Sequence, residues 1–156
     1  MKIRRIILKG VRNFRNFDHT FEDEWNGRVP DAILLSGPNG GGKTTLLNAI
    51  ADLWLLMSKH LQESPAQVDS SLPLMGSTLA NSQFAAIEIL DLEAEPLWIG
   101  IGDDQACREF TVLHEKSHRV LSRRSDVAGQ RSLFYARPGA IEGQAQRFTN
   151  IWLQGW

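Results

Sequence analysis

Hydrophobic and polar positions change their rhythm twice along this chain. Over residues 2–8, Ile3, Ile6, Ile7 and Leu8 stand among basic residues and predict a strand. Phe17, His19 and Phe21 then alternate with Asp18 and Thr20, which predicts a second, half-exposed strand. Residues 23–31 contain Gly27 and Pro30 and predict a loop. The apolar run in 32–36 predicts a short buried strand. From Lys43 to about Leu61 the period becomes helical. Leu46, Leu47, Ile50, Leu53, Trp54, Met57 and Leu61 recur at steps of three and four and form a core-facing stripe. Residues 63–82 are rich in Ser, Pro, Gln and Asn without a period, as in a loop or an insertion. Strand patterns follow at 85–93, 97–101, 110–113, 119–121 and 131–136, with Ile87, Ile89 and Leu92 facing inward in the first. Gly100, Gly102, Asp103 and Asp104 predict a hairpin turn between the second and third of these. In the mixed tail 138–156, Phe148, Ile151 and Trp152 fit one helical turn, and no internal repeat is visible. Two strands, a strand–helix unit and a run of antiparallel strands imply an α/β fold whose mixed sheet has an antiparallel section.

The junction between the third strand and the helix carries chemistry. It reads Gly37-Pro38-Asn39-Gly40-Gly41-Gly42-Lys43-Thr44-Thr45, the G-x-x-x-x-G-K-[ST] pattern in its required strand–loop–helix setting. Gly37, Gly40 and Gly42 let the main chain approach phosphate oxygens, and successive N–H groups form an anion nest. The helix N-terminus adds its orphan donors and positive dipole end. Lys43 is placed to reach the β- and γ-phosphates, and the Thr44 hydroxyl to ligate Mg²⁺. The ligand class is therefore a nucleoside triphosphate with Mg²⁺. The competing explanation is a glycine-rich turn that happens to contain a lysine, and the flanking patterns weigh against it.

Composition narrows the class further. At 156 residues, with 42% hydrophobic and 22% charged, the chain is globular rather than disordered. Its formal net charge of −1 gives no bulk argument for nucleic acid. Yet Lys2, Arg4, Arg5, Lys9, Arg12 and Arg15 precede any acid, and Asp18, Glu22, Asp23, Glu24 and Asp31 follow against Arg28 alone. Solvated strand faces account for this pattern, with a basic contact strip as the alternative. Cys107 is the only cysteine, and no apolar run is long enough for a signal core or a membrane span. A cytoplasmic protein, not membrane-bound, is expected. His19, His60, His114 and His118 are scattered; His114 and His118 lack a visible third metal ligand. Arg123 and Arg124 read as an exposed turn, with a contact to phosphate or nucleic acid as the alternative.

The segment IRRIILKGVRNFRNFDHTFED followed by AILLSGPNGGGKTTLLNAIADLW resembles the N-terminal lobe of ABC-type ATPase heads of the SMC/RecF-like group. The marks are the first strand, Asn13-Phe14-Arg15, the second strand and the Gly-Pro-Asn-Gly-x-Gly-Lys loop, covering roughly residues 1–58. The resemblance implies ATP and Mg²⁺ as ligands, with Pro38, Asn39, Gly41 and Thr45 joining the loop contacts, Lys43 as the catalytic lysine, Arg15 near the nucleotide and Arg12 as a neighbouring candidate. It implies a layout of P-loop core (1–62), loop or insertion (63–83), antiparallel β-subdomain (84–136) and lead-out (137–156) towards a C-terminal lobe. Phe134 to Glu142 is similar to the family's glutamine-loop region, with Pro138 where the glutamine belongs; Gln130, Gln144 and Gln146 are unranked substitutes.

Two family motifs are missing. The nearest string to a Walker B strand, Ile87-Glu88-Ile89-Leu90-Asp91, is interrupted by Glu88 and reads as an alternating strand instead. No Leu-Ser-Gly-Gly-Gln-like signature occurs. The chain is thus expected to be one lobe, whether truncated or naturally split, that binds ATP but turns it over poorly alone. The family's partners would be a second ATPase head, DNA, and a nuclease or other effector. A non-hydrolysing regulatory or assembly module is the alternative, and a small P-loop phosphotransferase a weaker one. No Asn-Lys-x-Asp motif supports a GTPase.

Overall fold

The computed structural model describes residues 1–62, 76–90, 96–103, 105–107, 109–110, 119–125 and 131–137. Among the described residues are six strands and one long helix: β1 (Lys2–Val11), β2 (Phe14–Thr20), α1 (Lys43–Gln62), β3 (Phe84–Leu90), β4 (Pro96–Asp103), β5 (Arg119–Ser125) and β6 (Arg131–Arg137). The strands form one sheet in the order β2-β1-β3-β4-β6-β5. All of its pairings are antiparallel.

Strand alternation gives the sheet two differently covered faces. Ile6 and Leu8 of β1, Ala85, Ile87 and Ile89 of β3, Leu97, Ile99 and Ile101 of β4, and Leu133 of β6 share one face. Leu46, Ala49, Leu53, Leu56 and Met57 of α1 complete that core. The opposite face carries Ile7, Phe84, Ala86, Trp98 and Phe134 beneath Cys107 and Phe110. Both faces of β3 and β4 are therefore covered, which is why the two strands are buried almost throughout. Asp52 joins α1 to the chain that follows it, accepting hydrogen bonds from Ser77 Oγ (2.9 Å) and the Thr78 amide (2.7 Å).

The inward facing of Ile87 and Ile89 agrees with their sequence pattern. Five local expectations are corrected. Residues 32–36 are not a strand, and Leu34 is 92% exposed; no strand among the described residues pairs with them. Among the described residues the sheet consequently has no parallel member of the kind this segment was expected to supply. Residue 110 is helical rather than extended, within a turn at 105–107 and 109–110 where the Ala106 amide donates to Asp103 Oδ1 at 2.7 Å. Gly100 and Gly102 lie inside β4, not in a turn, because aromatic rings need their space. A Cβ on Gly100 would meet Phe134 Cζ at 2.5 Å, and one on Gly102 would meet Phe84 Cδ2 at 2.8 Å. Arg123 and Arg124 belong to β5, opposite Phe134 and Leu133, rather than to a turn. Within α1, Leu47 is also 56% exposed, so the stripe is narrower than the sequence suggests; Leu56 and Ala49 are buried instead. Leu92, 111–113 and the tail 138–156 lie outside the described residues, as do His114, His118, Pro138, Gln130, Gln144 and Gln146.

The early basic residues are largely neutralised by the acids that follow them. Lys2 pairs with Asp31 at 2.9 Å. Arg4 pairs with Glu22 and, at 3.3 Å, with Glu88. Arg5 grips Asp18 through two bonds of 2.8 and 2.7 Å. Lys9 Nζ stands 6.0 Å over the Phe84 ring. Arg12 and Arg15 are exposed and have no ion pair among the described residues.

Glu88 is the buried acid of this cluster, in the middle of the antiparallel strand β3 and not at a Walker B position. Burial pushes its carboxyl above the ordinary value, against the pull of Arg4 and Arg5. A raised native value means that the folded state binds the proton more tightly than the unfolded chain. The contribution to stability is then fullest below the unfolded value of 4.5 and is lost as pH rises through the native one. Glu88→Gln removes that titration while still offering Arg4 an acceptor. Relative to the unmodified chain, its stability should improve as pH rises above the unfolded value of 4.5, a trend read by urea unfolding at each pH. A flat or opposite trend would refute the assignment.

Candidate functional site

The loop 37–42 sits between the segment 32–36, exposed except for Leu35 against the main core, and the start of α1, close to the turn that links β1 and β2. Gly40 (φ 81°) and Gly42 (φ 93°) hold backbone angles that side-chain-bearing residues rarely adopt. The Gly41 amide donates to the Pro38 carbonyl at 3.1 Å, which curls the loop. Lys43 Nζ donates to the carbonyls of Gly37 (2.8 Å) and Pro38 (2.7 Å), so the ammonium lies across the loop it follows. An ammonium has three donors, and these two bonds leave one for a ligand.

The first amide of α1 with an intrahelical acceptor is that of Leu46, bonded to Gly42 O at 2.8 Å. The amides of Lys43, Thr44 and Thr45 precede it and have none within the helix. Twenty residues of helix stand behind them, and the first turn has no acid to offset its positive end. These groups surround a pocket of about 200 Å³ lined by Asn13, Asn39 and residues 40–45. Ligand pockets commonly measure roughly 300–1,000 Å³. This one is smaller, a volume suited to phosphate groups rather than to a whole nucleotide.

The structure gathers Asn39, Gly40, Gly41, Gly42, Lys43, Thr44 and Thr45 into the pocket wall, with Gly37 and Pro38 forming the carbonyl side of the loop. Arg12 and Arg15 flank it on the β1–β2 hairpin but do not line it. Asn13 does, and sequence reasoning passed over it in favour of its two charged neighbours. Its Nδ2 donates to Gly40 O at 2.9 Å. Phe14 lies against the loop, since a Cβ on Gly42 would meet Phe14 Cζ at 2.7 Å. The signal available beforehand was adjacency: Asn13 and Phe14 belong to the same Asn-Phe-Arg segment.

The donor set fits polyphosphate with its divalent ion. Among the described residues the pocket wall offers backbone N–H groups, one ammonium and hydroxyls, with no carboxylate. Among the described residues no group of three or more His, Cys, Asp and Glu side chains is placed to hold a metal by itself. Mg²⁺ suits such a site when phosphates supply part of its shell, and Thr44 is the side chain at hand to add one oxygen. A larger hollow of about 690 Å³ lies at the other end of β1, between Met1, Lys2 and the loop 23–31. There Lys2 is already engaged by Val29 O and Asp31, both at 2.9 Å.

An α/β fold with this loop, this helix start and this phosphate-sized pocket defines a P-loop NTPase domain. A family model described as AAA domain matches residues 5–139. The chain belongs to that family, which is one of ATP-binding ATPases whose members generally bind ATP with Mg²⁺. Comparisons with curated proteins and with solved structures each gave no match. No helix among the described residues is long and apolar enough to cross a membrane.

Proposed function

We propose that this chain is the nucleotide-binding lobe of an SMC/RecF-like ATPase head, holding Mg²⁺-ATP by its phosphates. Gly37 to Thr45 cradle the triphosphate, Lys43 supplies the charge, and Thr44 contributes an oxygen to Mg²⁺. When bound, Mg²⁺ neutralises charge on the phosphates. A second head, bringing further catalytic groups, closes over the nucleotide, and this cycle of joining and release acts on DNA in repair, chromosome organisation or phage defence. A nuclease or other effector is the natural companion of such a cycle. The Asn13-Phe14-Arg15 segment beside the loop supports the SMC/RecF-like assignment, and the ion pairing of Lys2, Arg4 and Arg5 directs any DNA contact away from those three cations.

The observation that carries the proposal is the pocket's composition. Among the described residues it has backbone amides, an ammonium and hydroxyls to bind phosphate, and no carboxylate to orient an attacking water. The unpaired apolar segment 32–36 supports the same view, because a run with Leu34 so exposed gains from a covering surface. The same composition also favours the second reading, a binding module that never hydrolyses ATP.

Steady-state hydrolysis by the purified chain tests this. The expected result is binding of Mg²⁺-ATP with turnover well below the roughly 1 s⁻¹ at which ordinary enzyme rates begin. Efficient turnover that disappears in Lys43→Ala would show that the chain completes its own catalytic site.

A further inference from the structure

Among the described residues, the phosphate loop touches the sheet through the turn of the β1–β2 hairpin. The segment 32–36 that enters the loop packs Leu35 against the main core but has no strand partner there, so it lacks the hydrogen bonds by which a sheet strand would brace the loop. What braces it is Asn13 on Gly40 O at 2.9 Å and the Phe14 ring against Gly42.

The peptide plane between Gly40 and Gly41 is therefore held from both sides. Its oxygen accepts from Asn13 (2.9 Å), and its N–H donates to Pro38 O (3.1 Å). Steric restraint on its Gly40 side is weak, because a Cβ on Gly40 would meet nothing within 4 Å. Such a plane reorients readily unless bonds hold it. A carboxamide has two N–H donors. One is spent on Gly40 O, and the second stays on the same nitrogen in a side chain that lines the phosphate pocket.

We infer that Asn13 is a phosphate-positioning residue: its amide locks the 40–41 peptide before nucleotide arrives, and its second N–H meets a phosphate oxygen. This rests on the ATP-binding reading above for its ligand, but the lock exists without one. It assigns to a neutral side chain on the hairpin, distant in sequence from the loop, a part of the affinity otherwise credited to loop and lysine. Asn13→Ala removes both the lock and the donor. Asn13→Asp removes the donors and places a charge beside Gly40 O and the phosphates.

The test has two arms on the full chain. In the first, calorimetric titration of Mg²⁺-ATP is compared for the unmodified chain, Asn13→Ala, Asn13→Asp and Lys43→Ala. The expected loss is about five- to tenfold for Asn13→Ala, the scale of one hydrogen bond. Asn13→Asp should lose more, and neither melting temperature should fall by more than a degree or two. In the second arm, amide exchange is followed by NMR without nucleotide. The Gly41 amide should exchange several-fold faster in Asn13→Ala, while Leu53 in α1 stays unchanged.

Unaltered ATP affinity in both Asn13 variants, beside a loss in Lys43→Ala, overturns the inference and leaves the ATP reading standing. So does faster exchange spread through α1 with a lower melting point, which marks a merely structural residue. If the unmodified chain binds no ATP, the ATP reading fails and the second arm alone decides the lock. Faster Gly41 exchange then sustains it, and unchanged exchange overturns it.

Discussion

Lys43→Ala should weaken Mg²⁺-ATP binding by about 10- to 150-fold while leaving the fold intact. The magnitude follows from one charge-assisted bond, worth roughly 1.5–3 kcal/mol, lost from a pocket with no second lysine or arginine in its lining. The exposure of the bonds that Lys43 makes explains why stability is spared. The two carbonyls that Lys43 now satisfies, Gly37 O at 2.8 Å and Pro38 O at 2.7 Å, are exposed bonds, and water replaces the ammonium there. Surface changes of this kind stay within about 0.5 kcal/mol. Lys43→Arg should fall between the two, because the charge is kept but a planar fork replaces a compact ammonium. Paired calorimetry and thermal melts measure both quantities. Equal affinity in the alanine variant would remove the lysine from the site.

Gly42→Ala should disable the loop more thoroughly than Gly40→Ala, although both positions have positive φ. At 81° and 93° each substitution carries backbone strain on the order of 1–3 kcal/mol. Gly40 has open space where a Cβ would go. Gly42 has the Phe14 ring, with Cζ at 2.7 Å and Cε2 at 3.1 Å. Phe14 packs against the main core and meets the Phe17 ring at a tilt, with centroids 4.9 Å apart, so pushing it aside loosens the hairpin as well. The expected outcome for Gly42→Ala is loss of measurable Mg²⁺-ATP binding together with a lower melting temperature. Gly40→Ala shows a smaller loss. Adding Phe14→Ala to Gly42→Ala should restore part of the difference through relief of the clash, a non-additivity that a double-mutant cycle reads directly. Strict additivity would place the Phe14 ring elsewhere.

Much of this site was legible in the sequence because it is local. The loop and the helix that follows depend on residues within one turn of each other, and the spacing of Leu46, Leu53 and Met57 reports a burial that the structure reproduces. The in-strand glycines were not legible. Gly100 and Gly102 look like turn residues until Phe134 and Phe84 are seen lying over them. Residues 32–36 show the converse. Apolar residues signal that a segment gains from cover, but not whether that cover is within reach, and here Leu34 stays exposed. The helical turn holding Cys107 and Phe110 had a capping signal in Asp103, which bonds the Ala106 amide, but the neighbouring glycines masked it. Asn13 went unnoticed because a charged residue on either side offered the more obvious route to phosphate.

The central claim is that this pocket binds a nucleotide by its phosphates. Competition calorimetry against bound Mg²⁺-ATP tests it most directly, with Mg²⁺-tripolyphosphate and adenosine as the two competitors. With a phosphate-sized pocket, tripolyphosphate should displace ATP and adenosine should not. Displacement by adenosine with no effect of tripolyphosphate would contradict the account.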